Sequence, residues 1–227
     1  KKTGKPVYMM MYDTAPLTGG CHYSWDCLGY QNSCGSCPGL FSKDPSDITY
    51  QNLLYKKNYM EKTDISIVLA SEWQNLQTKK SIVFKDKPIH KILISINPEV
   101  FKIVPKEIIR KKIGMAPEKK VIFFGAKTFM DERKGFKYLL EALKILKIML
   151  ADKPGLIDSV HLLIAGEETD KFKNELPFEY SNLGLLNNSD GIASAYQAAD
   201  IYLCPSIEDA GPSMVNQSIM CGTPVVS

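Results

Sequence analysis

No apolar run in this chain approaches the ~20 residues that a helix needs to cross a bilayer. The basic opening KKTGKPVYMMMY has too short an apolar stretch for a signal peptide. Charge of one sign is also scarce. With 28 Lys and Arg against 25 Asp and Glu, the formal net charge is +3, which indicates neither a nucleic-acid surface nor a disordered tail. The chain lacks an initiating Met and stops as TPVVS enters an apolar strand, so a segment of a longer protein is expected. What is present is enough for one large domain or parts of two: 227 residues, 44% of them hydrophobic.

Apolar strands read at 6–12 (PVYMMMY), 64–70, 120–125 (KVIFFG), 159–166 (SVHLLIAG) and 200–206 (DIYLCPS). Helical patterns fill the intervals at 46–61, 71–79, 105–113, 135–151, 190–199 and 212–221. The best of them places Phe136, Leu139, Leu140, Leu143, Leu146 and Met149 on one face. Short, almost wholly apolar strands separated by such helices predict an α/β fold with parallel sheets covered on both sides. From 82 to 104 the periodicity is weak and two prolines intervene. A domain boundary is therefore expected near 104, giving 1–104 and 105–227.

Parallel α/β sheets bind ligands beyond the carboxyl ends of their strands, where loops lead into helix N-termini. Three loops of the second half qualify. The first, AKTFMDERKGF, brings Arg133 and Lys134 to the start of a helix, where two cations beside free N–H groups suit a diphosphate. Taken alone, such a pair more commonly marks a solvated basic turn. The second loop is EETDKF. The third lies within PSIEDAGPSMVNQSIMCGTPVVS. There Pro212 can occupy the first helical turn at no hydrogen-bond cost, leaving the N–H groups of Ser213, Met214 and Val215 for a ligand. Glu208 and Asp209 precede that helix; acids favour helix N-termini anyway, so a purely structural role stands beside a binding one.

Four of the six cysteines crowd into CHYSWDCLGYQNSCGSC. Cys34 and Cys37 form a CxxC knuckle with Cys21 and Cys27 upstream, and this spacing fits a four-thiolate zinc site, with His22 as a spare ligand. Disulfides are the rival reading. The loop 13–43 is rich in Gly and small polar residues and too poor in aliphatic side chains to fold by burial, so a clip is expected. Cys204 and Cys221 sit in strand and helix patterns and read as packing residues.

The ordered set VIFFGAKTFMDERKGFKYLLEAL, HLLIAGEE and AYQAADIYLCPSIEDAGPSMVNQSIMCGTPVV resembles the donor-binding half of a GT-B glycosyltransferase, most similar to glycosyltransferase family four. In the N-terminal part, GKPVYMMMYDTAPLTGGCHYSWDCLGYQNSCGSCPGLF resembles a subgroup with a TGGCHY…CGxCP cysteine loop that builds colanic acid, capsule or O-antigen sugars. SEWQNLQTKKS resembles the interdomain segment of the family.

The resemblance implies two Rossmann-like domains, both incomplete here: 1–104 from the acceptor side and 105–227 from the donor side. It implies a retaining, metal-independent transfer from a nucleotide diphosphate sugar to a saccharide or lipid-linked saccharide acceptor. Lys134 and Arg133 would bind the diphosphate, and Gly125 would admit it by close backbone approach. Asp209 and Glu208 would hold donor hydroxyls, Gln217 the ribose, and the amides of Ser213, Met214 and Val215 the sugar or phosphate. The base is expected around Gly184 and Leu186.

Two positions depart from the family pattern. Gln217 stands where the pattern has Glu. Tyr12, followed by Asp13, stands where the pattern has His at the end of the first strand. Tyr, with a pKa of ~10, is a poor base at neutral pH, but a front-face transfer uses the leaving phosphate to take the acceptor's proton. Tyr12 and Asp13 thus remain candidate catalytic residues, and a weakly catalytic sugar-nucleotide binding protein is the alternative reading. A cytoplasmic setting follows from the resemblance, where thiols stay reduced and zinc is favoured over disulfides. Lys56, Lys57, Lys79 and Lys80 could touch acidic lipid at the inner face of the plasma membrane, although a solvated face explains them as well. Trp73, His90 and His161 are read as structural.

Overall fold

The structure is a computed structural model and describes residues 4–211 and 213–227; the helix-starting role expected of Pro212 lies outside the described residues. The chain divides into two compact units, 1–95 with 208–211, and 96–207 with 212–227.

The first unit contains β1 (Tyr8–Met10), α1 (Ile48–Glu61), β2 (Ser66–Leu69), α2 (Glu72–Lys80) and β3 (Ile89–Lys91). Its three strands form a parallel sheet in the order β1-β2-β3. Fully buried Ile67 and Leu69 of β2 pack with Met11, Leu17, Tyr30, Leu53 and Phe84. The ends of β1 and β2 are tied by a buried amide: Gln74 accepts the Ala70 N–H at 2.9 Å and donates to the Met11 carbonyl at 2.9 Å. Each helix starts on a side-chain cap. Asp47 accepts the N–H groups of Thr49 and Tyr50 for α1, and the Ser71 hydroxyl accepts the Gln74 N–H for α2.

The second unit contains α3 (Lys106–Lys112), β4 (Lys120–Thr128), α4 (Phe136–Met149), α5 (Pro154–Ser159), β5 (Val160–Glu167), β6 (Glu179–Asn182), α6 (Ser189–Ala198), β7 (Ile201–Leu203), α7 (Ser213–Met220) and β8 (Val225–Val226). Its five strands are parallel in the order β6-β5-β4-β7-β8. Alternate residues of the central strands feed two separate cores. Val121, Phe123, Leu163 and Ala165 pack with α6 on one face, while Phe124, Leu162 and Ile164 pack with Leu139, Leu140 and Leu143 of α4 on the other. This two-sided burial is why both strands read as unbroken apolar runs.

The expected helices form within one or two residues of their predicted ends; of the five predicted strands three shorten, the one at 159–166 shifts by one residue and the one at 120–125 extends to Thr128. The segment 96–104 belongs with the second unit rather than the first. Ile96, Val100, Phe101 and Val104 all pack in its core, so the division falls before residue 96, ahead of the predicted 104. Of the two prolines that blurred the periodicity, Pro88 leads into β3, its carbonyl accepting the Ile67 N–H, and Pro98 lies in the non-helical stretch that follows. Strands β3 and β6 have no apolar signal of their own: β3 is mostly exposed, and β6 is the polar sequence EYSN.

The loop 13–43 also departs from expectation, because it does fold partly by burial. Leu17 and Tyr30 insert into the first core, and the half-buried Lys56 ammonium donates to the Ala15 and Thr18 carbonyls at 2.7 and 2.8 Å. That lysine is thereby committed to the loop, not to a lipid surface, and Lys57 pairs with Glu61 one turn along α1.

Arg110 is the largest fully buried side chain. Its guanidinium donates to the carbonyls of Ala198, Pro117 and Lys119 and to the Asp200 carboxylate at 2.7 Å. Asp200 also accepts from Lys106 and from the Val121 N–H. Burial pushes the Asp200 carboxyl up, but those donors outweigh it and hold the pKa below the usual value. Asp200→Asn should therefore lower the unfolding free energy by about 2–3 kcal/mol, under the ~3–5 typical of wholly buried pairs because Asp200 is partly exposed. Urea denaturation checks this, and loss of under about 0.5 kcal/mol would show the pair to be dispensable.

Candidate functional site

In the second unit a pocket of about 250 Å³ opens beyond the carboxyl ends of β4 and β5. Its lining combines Gly125, Ala126 and Lys127 of β4, Ala165 and Gly166 of β5, Leu185 and Leu186, and Ser213, Met214 and Gln217 of α7. Two glycines in its lining sit where neighbouring atoms leave little room for a side chain. A Cβ on Gly125 would lie 3.1 Å from the Ala165 carbonyl oxygen and 3.3 Å from the Phe123 ring. At Gly166, φ is +154° and a Cβ would fall 2.2 Å from the Ala126 oxygen, so no side chain fits. Ser213 and Gln217 are spaced i, i+4 and share one helix face.

Of the predicted donor residues, Gly125, Leu186, Ser213, Met214 and Gln217 are brought together in this pocket. Gly184 lies just behind it, its carbonyl accepting the Gly166 N–H at 2.9 Å. The Val215 side chain instead packs against the core. Arg133 and Lys134 form a short 3-10 turn capped by Asp131, and neither lines the pocket. Arg133 donates to the Asp131 carboxylate at 2.5 Å, while its carbonyl accepts the Ile207 N–H. Lys127 is the lining cation that the sequence reading missed. It follows Gly125 by two residues, and β4 continues through it to Thr128, past the strand end at 125 that the sequence suggests.

The acid segment 208–211 groups with the first unit. Glu208 is buried, and its Oε1 accepts the Trp25 N–H at 3.2 Å. Asp209 Oδ1 accepts the Gly211 N–H at 3.3 Å, and the Ala210 carbonyl accepts the Ser71 hydroxyl at 2.8 Å. At the end of β1, the Tyr12 ring is exposed. Asp13 accepts the Ala15 N–H through one oxygen and contacts His22 Nδ1 at 2.6 Å through the other. The Thr14 N–H and hydroxyl both donate to the His22 carbonyl. His22 is therefore held against Asp13, not against the thiols for which it was a spare ligand.

The four loop thiols are free and half-buried. They are near neighbours: burial raises the Cys34 pKa, and Cys21, Cys27 and Cys37 each add to the rise. Cys27 and Cys34 flank Gly29, their sulfurs 3.6 and 3.5 Å from where a Cβ on that glycine would be. The expected tetrahedral convergence is nevertheless not found. Among the described residues no group of three or more His, Cys, Asp or Glu side chains is arranged to hold a metal ion. The loop is held by the burial of Leu17 and Tyr30 and by hydrogen bonds from Lys56 and to Asp47.

No helix among the described residues is long and apolar enough to cross a membrane. No curated protein matches the chain by sequence. Solved structures share its fold. Sucrose-phosphate synthase from Thermosynechococcus elongatus is 18% identical with a TM-score of 0.60, over 87% of this chain and 46% of that one. HepE of Anabaena, crystallised with UDP, is 14% identical with a TM-score of 0.61, over 98% and 53%. WaaG, a glycosyltransferase involved in lipopolysaccharide biosynthesis, is 20% identical with a TM-score of 0.60, over 78% and 48%. The chain thus spans about half the length of these neighbours. The profile described as "Glycosyl transferases group 1" matches residues 105–227, more than half of the sequence and nearly all of the unit that holds the pocket, and the chain belongs to that family.

Proposed function

We propose that this chain carries the donor-binding part of a retaining glycosyltransferase that moves a sugar from a nucleotide diphosphate to a growing surface saccharide. The observation that carries the reading is the pocket beyond β4 and β5, in which Gly125, Leu186, Ser213, Met214 and Gln217 meet within the matched family region. Its glycines suit close approach of a phosphate chain, and the first turn of α7 offers N–H donors and a positive helix end. HepE, of the same fold, is crystallised with UDP-glucose, which supports a uridine nucleotide as the first ligand to try.

In this reading Gln217 takes the ribose, Lys134 and Arg133 the diphosphate together with Lys127, and the amides of Ser213, Met214 and Val215 the sugar or phosphate. Glu208 and Asp209 are assigned to donor hydroxyls. Cations and helix N–H groups can supply the charge stabilisation that a metal supplies elsewhere. The bond from the anomeric carbon to the phosphate breaks, the acceptor oxygen bonds on the same face, and the departing phosphate takes the acceptor's proton. Tyr12 and Asp13 are the acceptor-side candidates. A cytoplasmic setting against the inner membrane face suits a lipid-linked acceptor. A second reading, nucleotide-sugar binding with weak transfer, is favoured by the neutral amide of Gln217 in the pocket.

Calorimetry of UDP with the full-length protein tests the proposal, and absence of binding would overturn it. Lys134→Ala should weaken that binding by about 1.5–3 kcal/mol, the range for a charged hydrogen bond. An unchanged affinity, with loss in Lys127→Ala instead, would move the diphosphate contact to β4.

Gln217→Glu should raise donor affinity or turnover by restoring a charged acceptor. Improvement in Asn216→Glu alone, measured in the same transfer assay, would shift the assigned register by one residue.

A further inference from the structure

A second cavity belongs to the first unit. Within the first unit, the folded loop and the start of α1 enclose about 660 Å³. This is far more than a water's ~30 Å³ and within the ~300–1,000 Å³ of small-molecule sites. Its wall is mostly apolar, with Leu40 and Ile48 among the residues contributing, and it is interrupted by Ser24, Trp25, Asp26 and Asn52.

Two features of that wall point to a ligand. Ser24 is buried, and its hydroxyl oxygen has no hydrogen-bond partner among the described residues. A buried hydroxyl left unpaired is costly, and here it borders a cavity. Trp25 sits at φ +51°, a left-handed conformation that is strained for a bulky side chain. Its N–H is fixed by the Glu208 carboxylate, yet the indole remains about half exposed, at 49%. A large aromatic ring held in a strained backbone and left open beside a cavity is a presented surface, not a core anchor.

An exposed indole, a lone buried hydroxyl, a carboxylate and an amide form the mixed lining that a sugar ring needs. The ring's C–H face lies on the aromatic, and its hydroxyls reach the few polar groups. Asn52 is already oriented by donating to the Gly19 carbonyl at 3.1 Å, and Asp26 adds an acceptor for neutral hydroxyls. We propose that this pocket binds a pyranose ring of the acceptor saccharide, with Trp25 as its stacking platform and Ser24 and Asp26 as its hydrogen-bonding partners. The proposal rests on the glycosyl-transfer reading for the word acceptor, but the binding itself is independent of the donor pocket.

Saturation-transfer NMR on the full-length protein, with the methyl α- and β-glycosides of glucose, galactose, mannose and N-acetylglucosamine as probes and n-octanol as the apolar competitor, tests it. At least one glycoside should bind. Trp25→Ala should weaken that glycoside by about tenfold, the scale of a lost stacked contact, while Trp25→Phe stays within about threefold because the ring is kept. Trp25→Gly relieves the positive φ, so its melting temperature should hold or rise while glycoside binding is lost. Ser24→Ala should likewise bind glycoside more weakly without a fall in melting temperature. No glycoside signal, a signal that survives Trp25→Ala, or binding of octanol alone overturns the proposal. UDP calorimetry on the same samples keeps failure of the donor reading separate: UDP binding should be equal in all four variants.

Discussion

Strand β4 is the element on which the second unit depends. It pairs with β5 on one side and β7 on the other, so both of its edges are satisfied by neighbouring backbone. Its two faces supply both cores. Its first turn is locked by Asp200, whose N–H donates to the Val121 carbonyl while its carboxylate accepts the Val121 N–H. Because every strand in the sheet is parallel, all the carboxyl ends emerge on one edge. The pocket is the consequence: β4 and β5 run out beside the start of α7, with Gly125 and Gly166 at their exits.

The first unit solves a different problem. A three-stranded sheet has little surface to offer, and a long loop must be held on it without a regular ladder. Asp47 does much of this by serving two masters. Its carboxylate caps α1 and also accepts the Cys37 N–H at 2.9 Å, joining the cysteine knuckle to the helix. The Thr49 hydroxyl, then the Cys37 N–H, hold its carboxyl far below the usual carboxylate range. Lys56 closes the other side of the loop through two carbonyls. Polar groups on α1 thus anchor one stretch of irregular backbone at two points, which leaves a cavity between them.

What was legible in the sequence follows from where the signal is physical. Period and length identified α4, β4 and β5 because both sheet faces are buried and one helix face is apolar. β6 was not legible, because an edge strand of Glu, Tyr, Ser and Asn carries no apolar run. The pocket residues Ser213, Met214 and Gln217 were found through the resemblance and through helix-start logic. Lys127 was missed because a cation inside a strand reads as solvated surface unless the strand's exit is known. The cysteine loop was misread in energy, since Leu17 and Tyr30 contribute burial that a composition count dilutes. Thiol spacing alone could not reveal that the Cys27 and Cys34 sulfurs crowd Gly29.

Gln217 illustrates how a single position divides two readings of one pocket. A carboxylate there would offer ribose hydroxyls a charged acceptor, worth about 1.5–3 kcal/mol against about 0.5–1.5 for a neutral one. In the proposed reading it would also set a negative charge beside the diphosphate, and like charges in a partly enclosed site repel more than in water. The amide gives up hydroxyl affinity and removes that repulsion. The same pocket holds Lys127, whose charge meets no carboxylate at position 217. In the proposed reading Gln217→Glu shifts the site from holding the diphosphate by charge toward holding the ribose by charge, and the division between binding and transfer turns on which of those contacts tightens as the sugar departs.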